Sequence, residues 1–256
     1  MSAERDVVSR QAEPGAAIPH RVAAVRGRIA DACRRVGRVP SSVTVVAVTK
    51  GHPAPLAQAA VDAGLIDLGE SRVQEMLDKA AQVRGARWHM VGRLQSNKAK
   101  GVIARATLVH SLDRRSLASA LSTRAHDAGV VQRVLVQVNV GEDPAKAGCP
   151  AEDALALVAE VRDLPNLAVE GLMTIPPLAP RGVDQAEVSR PHFARLRRLR
   201  DRARARWPEL AHLSMGMSAD FETAVEEGAT IVRLGTVLFG PRRDQAYGTR
   251  TVEEAR

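Results

Sequence analysis

Short apolar runs alternate with longer amphipathic stretches along nearly the whole chain. Val43–Thr49, Ile66–Gly69, Arg87–Val91, Thr107–His110, Val131–Val140, Ala168–Met173, His212–Met215 and Thr230–Leu234 are rich in Val and Ile. Several have too few polar positions for a sheet with one face in water, which predicts strands covered on both sides. Between them the pattern predicts helices over Pro53–Ala63, Ser71–Val83, Asn97–Ala104, Arg114–Ala128, Ala151–Arg162, Arg190–Trp207 and Ala219–Glu227. A further helix, Ile18–Val36, precedes the first strand. Gly64, Gly85, Gly129 and Gly228 stand where helices stop, and Pro165 and Pro208 close two others.

Eight strands alternating with helices imply an α/β fold with a parallel sheet and right-handed crossovers. At 256 residues, a single closed (β/α)8 TIM barrel with an extra N-terminal helix fits better than two domains. A doubly wound open sheet is the alternative, since pattern does not show closure. The expected organisation is a disordered N-terminal extension over residues 1–16, a barrel over 17–242 and a polar tail over 243–256. The Pro-rich stretch Pro176 to Pro180 reads as a long loop inside the barrel unit.

Composition narrows the function classes. Hydrophobic residues make up 45% and aromatic residues only 2%, so the core is aliphatic. No apolar run reaches the roughly 18 residues of a membrane span, and Met1 to Ala17 lacks the apolar segment of a signal peptide. Cys33 and Cys149 have neither disulfide-scaffold nor zinc-site spacing, so a reducing cytoplasm is expected. The net charge of +8 is concentrated in Arg195 to Arg206. On a helix, Leu196, Leu199, Ala203 and Trp207 share one face there, and the arginines flank it as a solvated surface. With a single tyrosine and few other aromatics there is no stacking platform for bases, so nucleic acid is not the expected partner.

In a parallel barrel the active face lies at the carboxyl ends of the strands. Lys50, Glu70, the Gly92–Asn97 loop, Asn139, Met173 and Ser214–Ser218 all follow strands and are expected to converge there. A lysine amine is a Schiff-base nucleophile once burial or a nearby cation depresses its pKa; His89 and Arg233 are candidate neighbours. Ser218 precedes a helix, whose first N–H groups favour a phosphate, although it also reads as an ordinary N-cap. Asp220 and Glu222 would repel an anion if turned inward. Gly235 and Thr236 follow the last strand, and barrels often bind phosphate beside their last two strands. A reactive amine with a phosphate cradle suggests pyridoxal 5′-phosphate (PLP). His89 inside a strand reads as a core residue, and no metal constellation is visible.

At these residues the chain resembles the pyridoxal phosphate homeostasis proteins. The matching segments are VAVTK at 46–50, DLGESRVQE at 67–75, WHMVGRLQSNK at 88–98, HSLDR at 110–114, VLVQVNV at 134–140, GLMTI at 171–175, LSMGMSADFETAVEEGAT at 213–230 and VRLGTVLFG at 232–240. The resemblance implies a barrel like the alanine racemase N-terminal domain and PLP held on Lys50 as an internal aldimine. It implies that Ser218, Gly235 and Thr236 contact the phosphate and that Arg233 faces the pyridine nitrogen. It further implies a monomeric carrier that buffers PLP and delivers it to apo-enzymes. Ser71, Arg93 and Gly51-His52 depart from the family's usual residues near the mouth of the site. An arginine at the pyridine nitrogen weakens PLP as an electron sink, and the short stretch from Pro241 to Arg256, with Tyr247, leaves no second domain to supply a base. A carrier is therefore expected, with a weak racemase or decarboxylase and a basic nucleic-acid-binding barrel as alternatives.

Overall fold

In the computed structural model, which describes residues 15–103, 105–143 and 146–241, the apolar runs pair in parallel around a closed ring. The strands are β1 (Thr44–Val48), β2 (Asp67–Glu70), β3 (Arg87–Met90), β4 (Ala106–Leu112), β5 (Gln132–Asn139), β6 (Cys149–Pro150), β7 (Leu167–Met173), β8 (His212–Ser214) and β9 (Ile231–Leu234). The order β4-β3-β2-β1-β9-β8-β7-β5 closes through a β4–β5 pairing, giving an eight-stranded barrel; β6 is a two-residue addition beside β5. The open-sheet alternative is excluded by that closure.

Alternation along the strands divides the apolar side chains into two sets. Val46, Val48, Val91, Leu108, Leu135, Met173 and Ile231 form a separate buried cluster inside the barrel. Their chain neighbours, such as Ala47, Met90, Val109, Val134, Val136, Leu172 and Val232, join the larger core between sheet and helices. Both faces of the strands are thus dry, which is why they read as continuous apolar runs.

The outer layer comprises α1 (Ile18–Arg35), α2 (Ala54–Asp62), α3 (Val73–Ala80), α4 (Ala99–Val102), α5 (Arg115–Asp127), α6 (Ala154–Arg162), α7 (Gln185–Arg206), α8 (Phe221–Glu226) and α9 (Thr236–Phe239). The extra N-terminal helix is present. α1 buries Ile18, Val22, Val25, Ile29, Ala32 and Cys33, and Arg28 reaches Glu222 at the start of α8.

Three expectations about helices need correction. α7 starts at Gln185 rather than Arg190, with the Asp184 side chain accepting from the Ala186 N–H, and Pro191 lies within it. The proline reads as a first-turn residue, but the capping aspartate upstream sets the start. The helix after Ser218 begins at Phe221 rather than Ala219. Residues 96–98 are a 3-10 turn, so α4 is shorter than the expected Asn97–Ala104. Residues 1–14 and 242–256, which carry most of the expected extension, the expected tail and Tyr247, lie outside the described residues, as does Ala104. No described helix is long and apolar enough to cross a membrane.

Candidate functional site

β1 ends at Val48, and the chain turns through Gly51 at φ 72°, a conformation glycine adopts without strain. The Thr49 N–H still reaches the Gly69 carbonyl at 3.0 Å, so the sheet carries Lys50 to the rim. There it borders a cavity of about 510 Å³. Ser218, Arg233, Gly235 and Thr236 border the same cavity, so the five expected residues come together. Val48, Val91 and Ile175 supply apolar walls, and Gln137, Lys146 and Met217 further lining. Ser71, Arg93 and His52, at or beside the departures from the family pattern, also lie on its wall. The His52 ring stands 5.1 Å from that of Phe239 and joins this loop to α9.

The β8 and β9 loops make one polar end. Ser218 does not cap α8. Its Oγ lies 3.2 Å from the Val237 backbone N–H, which donates to it, so the serine is tied to the start of α9 on the neighbouring strand. The two acidic residues that would repel an anion are turned away. Asp220 is buried and accepts from the Met217 N–H at 2.6 Å and the Ser189 hydroxyl at 2.6 Å. Glu222 pairs with Arg28 on the outside. Beside Gly235 there is room: apart from its chain neighbours, only Val48 would come within 4 Å of an added Cβ.

Arg233 lies at the inner end, buried in the barrel. Its Nη1 donates to Ser214 Oγ at 2.7 Å and its Nη2 to the Thr174 carbonyl at 2.8 Å. Burial pulls its pKa down to about 10, which leaves the guanidinium charged at neutral pH. Behind it runs a chain of side chains contributed by four strands. Ser214 Oγ is 2.8 Å from His110 Nδ1, His110 Nε2 is 2.9 Å from His89 Nδ1, and His89 Nε2 is 2.9 Å from Asp67. An arginine only donates, so Ser214 accepts from it and passes its own hydrogen to His110. His110 then donates from Nε2 to His89, and His89 donates from Nε2 to Asp67. Burial, with His89 and Arg233 nearby, holds His110 well below the usual histidine range, which keeps it neutral. Burial alone would raise Asp67, but hydrogen bonds from His89 and Arg87 outweigh it and hold the carboxyl below its ordinary value.

His89 therefore stands apart from the cavity that Lys50 borders, and its ring is spent inside the chain behind Arg233. Glu70 and Met173 are also buried off the cavity wall. Sequence reading missed His110 and Asp67 as members of this chain, although each is a titratable residue buried within a strand. It also missed Gln137, whose Nε2 donates to the Ala147 carbonyl at 2.9 Å beside the cavity.

Comparison with known proteins places the chain in a family and a fold. The sequence pattern of the alanine racemase N-terminal domain matches residues 21–243. The pyridoxal phosphate homeostasis protein of Aquifex aeolicus is 43% identical over 226 residues, covering 87% of this chain and 97% of that one. The protein of that name from Escherichia coli is 37% identical over 230 residues, covering 88% and 97%. PipY of Synechococcus elongatus, solved with PLP bound, superposes with a TM-score of 0.75 at 36% identity, covering 87% of this chain and 100% of PipY. An alanine racemase of Clostridium difficile shares the fold at a TM-score of 0.66 and 15% identity, covering 86% and 60%. By sequence and by fold, this chain belongs to the pyridoxal phosphate homeostasis protein family, built on the barrel of the alanine racemase N-terminal domain.

Proposed function

We propose that this protein binds PLP through Lys50 and serves in PLP homeostasis as a carrier that buffers the cofactor and hands it to apo-enzymes in the cytoplasm. One observation carries the reading: Lys50, Arg233 and the Ser218–Gly235–Thr236 group border a single cavity. The residues fit the cofactor. Its volume of about 510 Å³ falls within the roughly 300–1,000 Å³ of small-ligand sites. A hydroxyl and a glycine suit a phosphate, apolar side chains suit a ring, and an amine lies within the same walls. When bound, PLP offers an aldehyde that condenses with an amine and a pyridine ring that withdraws electrons from whatever it holds.

This chain's own groups favour carriage over turnover. Arg233 is a charged donor with a one-directional chain of donors behind it. It offers the pyridine nitrogen a hydrogen bond but holds its own proton, so the ring stays a weak electron sink. Ser218 and the Gly235–Thr236 backbone would hold the phosphate, and Val48, Val91 and Ile175 would shield the ring. PipY, with PLP bound at 36% identity, supports the cofactor assignment, and the shared name of the relatives supports the homeostatic role.

The test is the visible absorption of protein incubated with PLP and desalted, beside Lys50→Ala. A band in the wild type that is absent from Lys50→Ala is expected. Retention of the band by Lys50→Ala overturns the attachment. Amino-acid turnover at about 1 per second or faster overturns the carrier assignment.

A further inference from the structure

A second lysine lies behind the first. Lys79, on α3, is buried, with a side chain 7% exposed, and its ammonium has three hydrogens to donate. The structure gives it three acceptors: the Thr49 carbonyl at 2.6 Å, Glu70 Oε1 at 2.6 Å and Glu75 Oε1 at 2.8 Å. Glu75 Oε1 also accepts from the Gly51 N–H at 2.7 Å, and the Thr49 hydroxyl donates to Glu70 Oε1 at 2.5 Å. Thr49 and Gly51 flank Lys50. The peptide group before Lys50 is held through its carbonyl by Lys79 and by the His52 N–H at 3.0 Å, and the one after it by its N–H on Glu75. One ion pair on α3 thus braces both peptide planes that set the direction of the Lys50 side chain, and it is the one support they share.

The strand alone does not do this. β1 ends at Val48, and Gly51 turns the chain at positive φ, so Lys50 lies where regular pairing has ceased. A buried ammonium is costly to hold without partners, yet these three side chains do not border the cavity. Burial raises the Glu70 carboxyl above its usual range and its Oε2 has no partner, whereas hydrogen bonds from Lys79 and Gly51 bring Glu75 below its usual value against the effect of burial. Of the two carboxyls, Glu75, the residue that holds the Gly51 peptide, is the one whose charged form its surroundings favour.

We propose that Lys79 and Glu75 are positioning residues that aim the Lys50 amine at its carbonyl partner and thereby set the rate at which PLP is covalently taken up. The inference rests on the PLP reading above. In the step concerned, the neutral Lys50 nitrogen forms a bond to the aldehyde carbon, the carbon–oxygen bond breaks, and the oxygen leaves as water with the two amine hydrogens.

The experiment compares wild type, Glu75→Ala and Glu75→Gln in two measurements. One is the rate at which the lysine-linked visible band appears on mixing with PLP. The other is the affinity for pyridoxine 5′-phosphate, whose alcohol cannot condense. Glu75 lies in the first turn of α3 with its side chain 22% exposed, and alanine is the best helix former, so the variant keeps the helix. Glu75→Ala is expected to slow the band about tenfold or more, with pyridoxine 5′-phosphate affinity unchanged. Glu75→Gln, whose carbonyl oxygen still accepts from Gly51, is expected to restore most of the rate. Lys79→Met, which leaves the Thr49 carbonyl only the His52 N–H, is expected to be slow as well. A wild-type rate in Glu75→Ala overturns the inference, and so does an equal loss of rate and of pyridoxine 5′-phosphate affinity, the mark of general disruption. Failure of the PLP reading looks different: the wild type forms no linked band, or Lys50→Ala keeps it.

Discussion

Gly235 is the residue at which space alone decides the chemistry. A methyl group there meets only Val48, so Gly235→Ala leaves the protein's own packing intact while filling the room proposed for the phosphate. The expected result is PLP binding weakened tenfold or more, about 1.4 kcal/mol, with a melting temperature within about 3 °C of wild type. Titration with PLP and a thermal melt check it, and unchanged affinity would remove Gly235 from the cradle. The places of Lys50 and Gly235 were legible in the sequence because each stands just past a strand end, where barrel topology assigns a place. Arg233, inside the last strand, was singled out through the family resemblance and as a candidate neighbour of Lys50. The chain from Arg233 to Asp67 was not legible. His110 and Ser214 are 104 positions apart and meet only across the closed barrel, so no spacing in the sequence announces them. Lys79 was hidden for a similar reason. In sequence it is an ordinary i+4 partner of Glu75 on an amphipathic helix, and only the fold turns it against Thr49.

Among the elements, the strands were the most legible and the short helices the least. Val-rich runs have one solution when both faces are dry, and all eight appear within a few residues of expectation. Ser218 was read as a possible cap for the helix that follows it. The turn over 218–220 delays α8 to Phe221 and frees the Ser218 hydroxyl for α9, a four-residue helix whose pattern is too short to detect. Asp220 holds that turn. Asp220→Ala leaves the buried Ser189 hydroxyl and the Met217 N–H without their partner, at a cost of about 2–3 kcal/mol. It is expected to weaken PLP binding as well, because Ser218 loses its support. Denaturant unfolding and PLP titration check both, and full stability with full affinity would show the turn holds itself. The basic face of α7 also differs from a purely solvated surface. Arg190 and Arg197 pair with Glu226 and Glu227 of α8 and the loop after it, Arg195 with Glu142, and Arg200 donates to the Ala211 carbonyl. Leu196, Leu199, Ala203 and Trp207 are buried as the periodicity predicts.

For the whole molecule, the buried histidines tie stability to pH. Burial depresses the pKa of His110, and to a lesser degree that of His212, in the folded state. The unfolded chain takes up these protons near pH 6.5, whereas the folded chain resists them. Their contribution is complete above about pH 6.5 and is lost as pH falls below it, by at most about 1.4 kcal/mol per pH unit for each proton. Glu70, whose carboxyl is raised by burial, acts in the opposite sense, since its folded form welcomes a proton. The comparison is therefore between the wild type and His110→Gln from pH 7 to 5. The wild type is expected to lose stability more steeply, and parallel curves would show that His110 does not titrate on unfolding.

The sheet order also divides the rim of the barrel into unequal halves. β1, β9 and β8 are consecutive in the ring, and they carry Lys50, Arg233, Gly235, Thr236 and Ser218. The opposite arc, β3 to β5 with the loops that follow them, contributes Val91, Gly92, Arg93, Gln137, Lys146 and Ala147 to the same cavity. On the proposed reading the first side of the mouth holds the cofactor, and the far side is open to redesign. Libraries of substitutions at the far arc can explore new ligands or new chemistry over a retained cofactor, much as a tool handle stays fixed while the blade is exchanged.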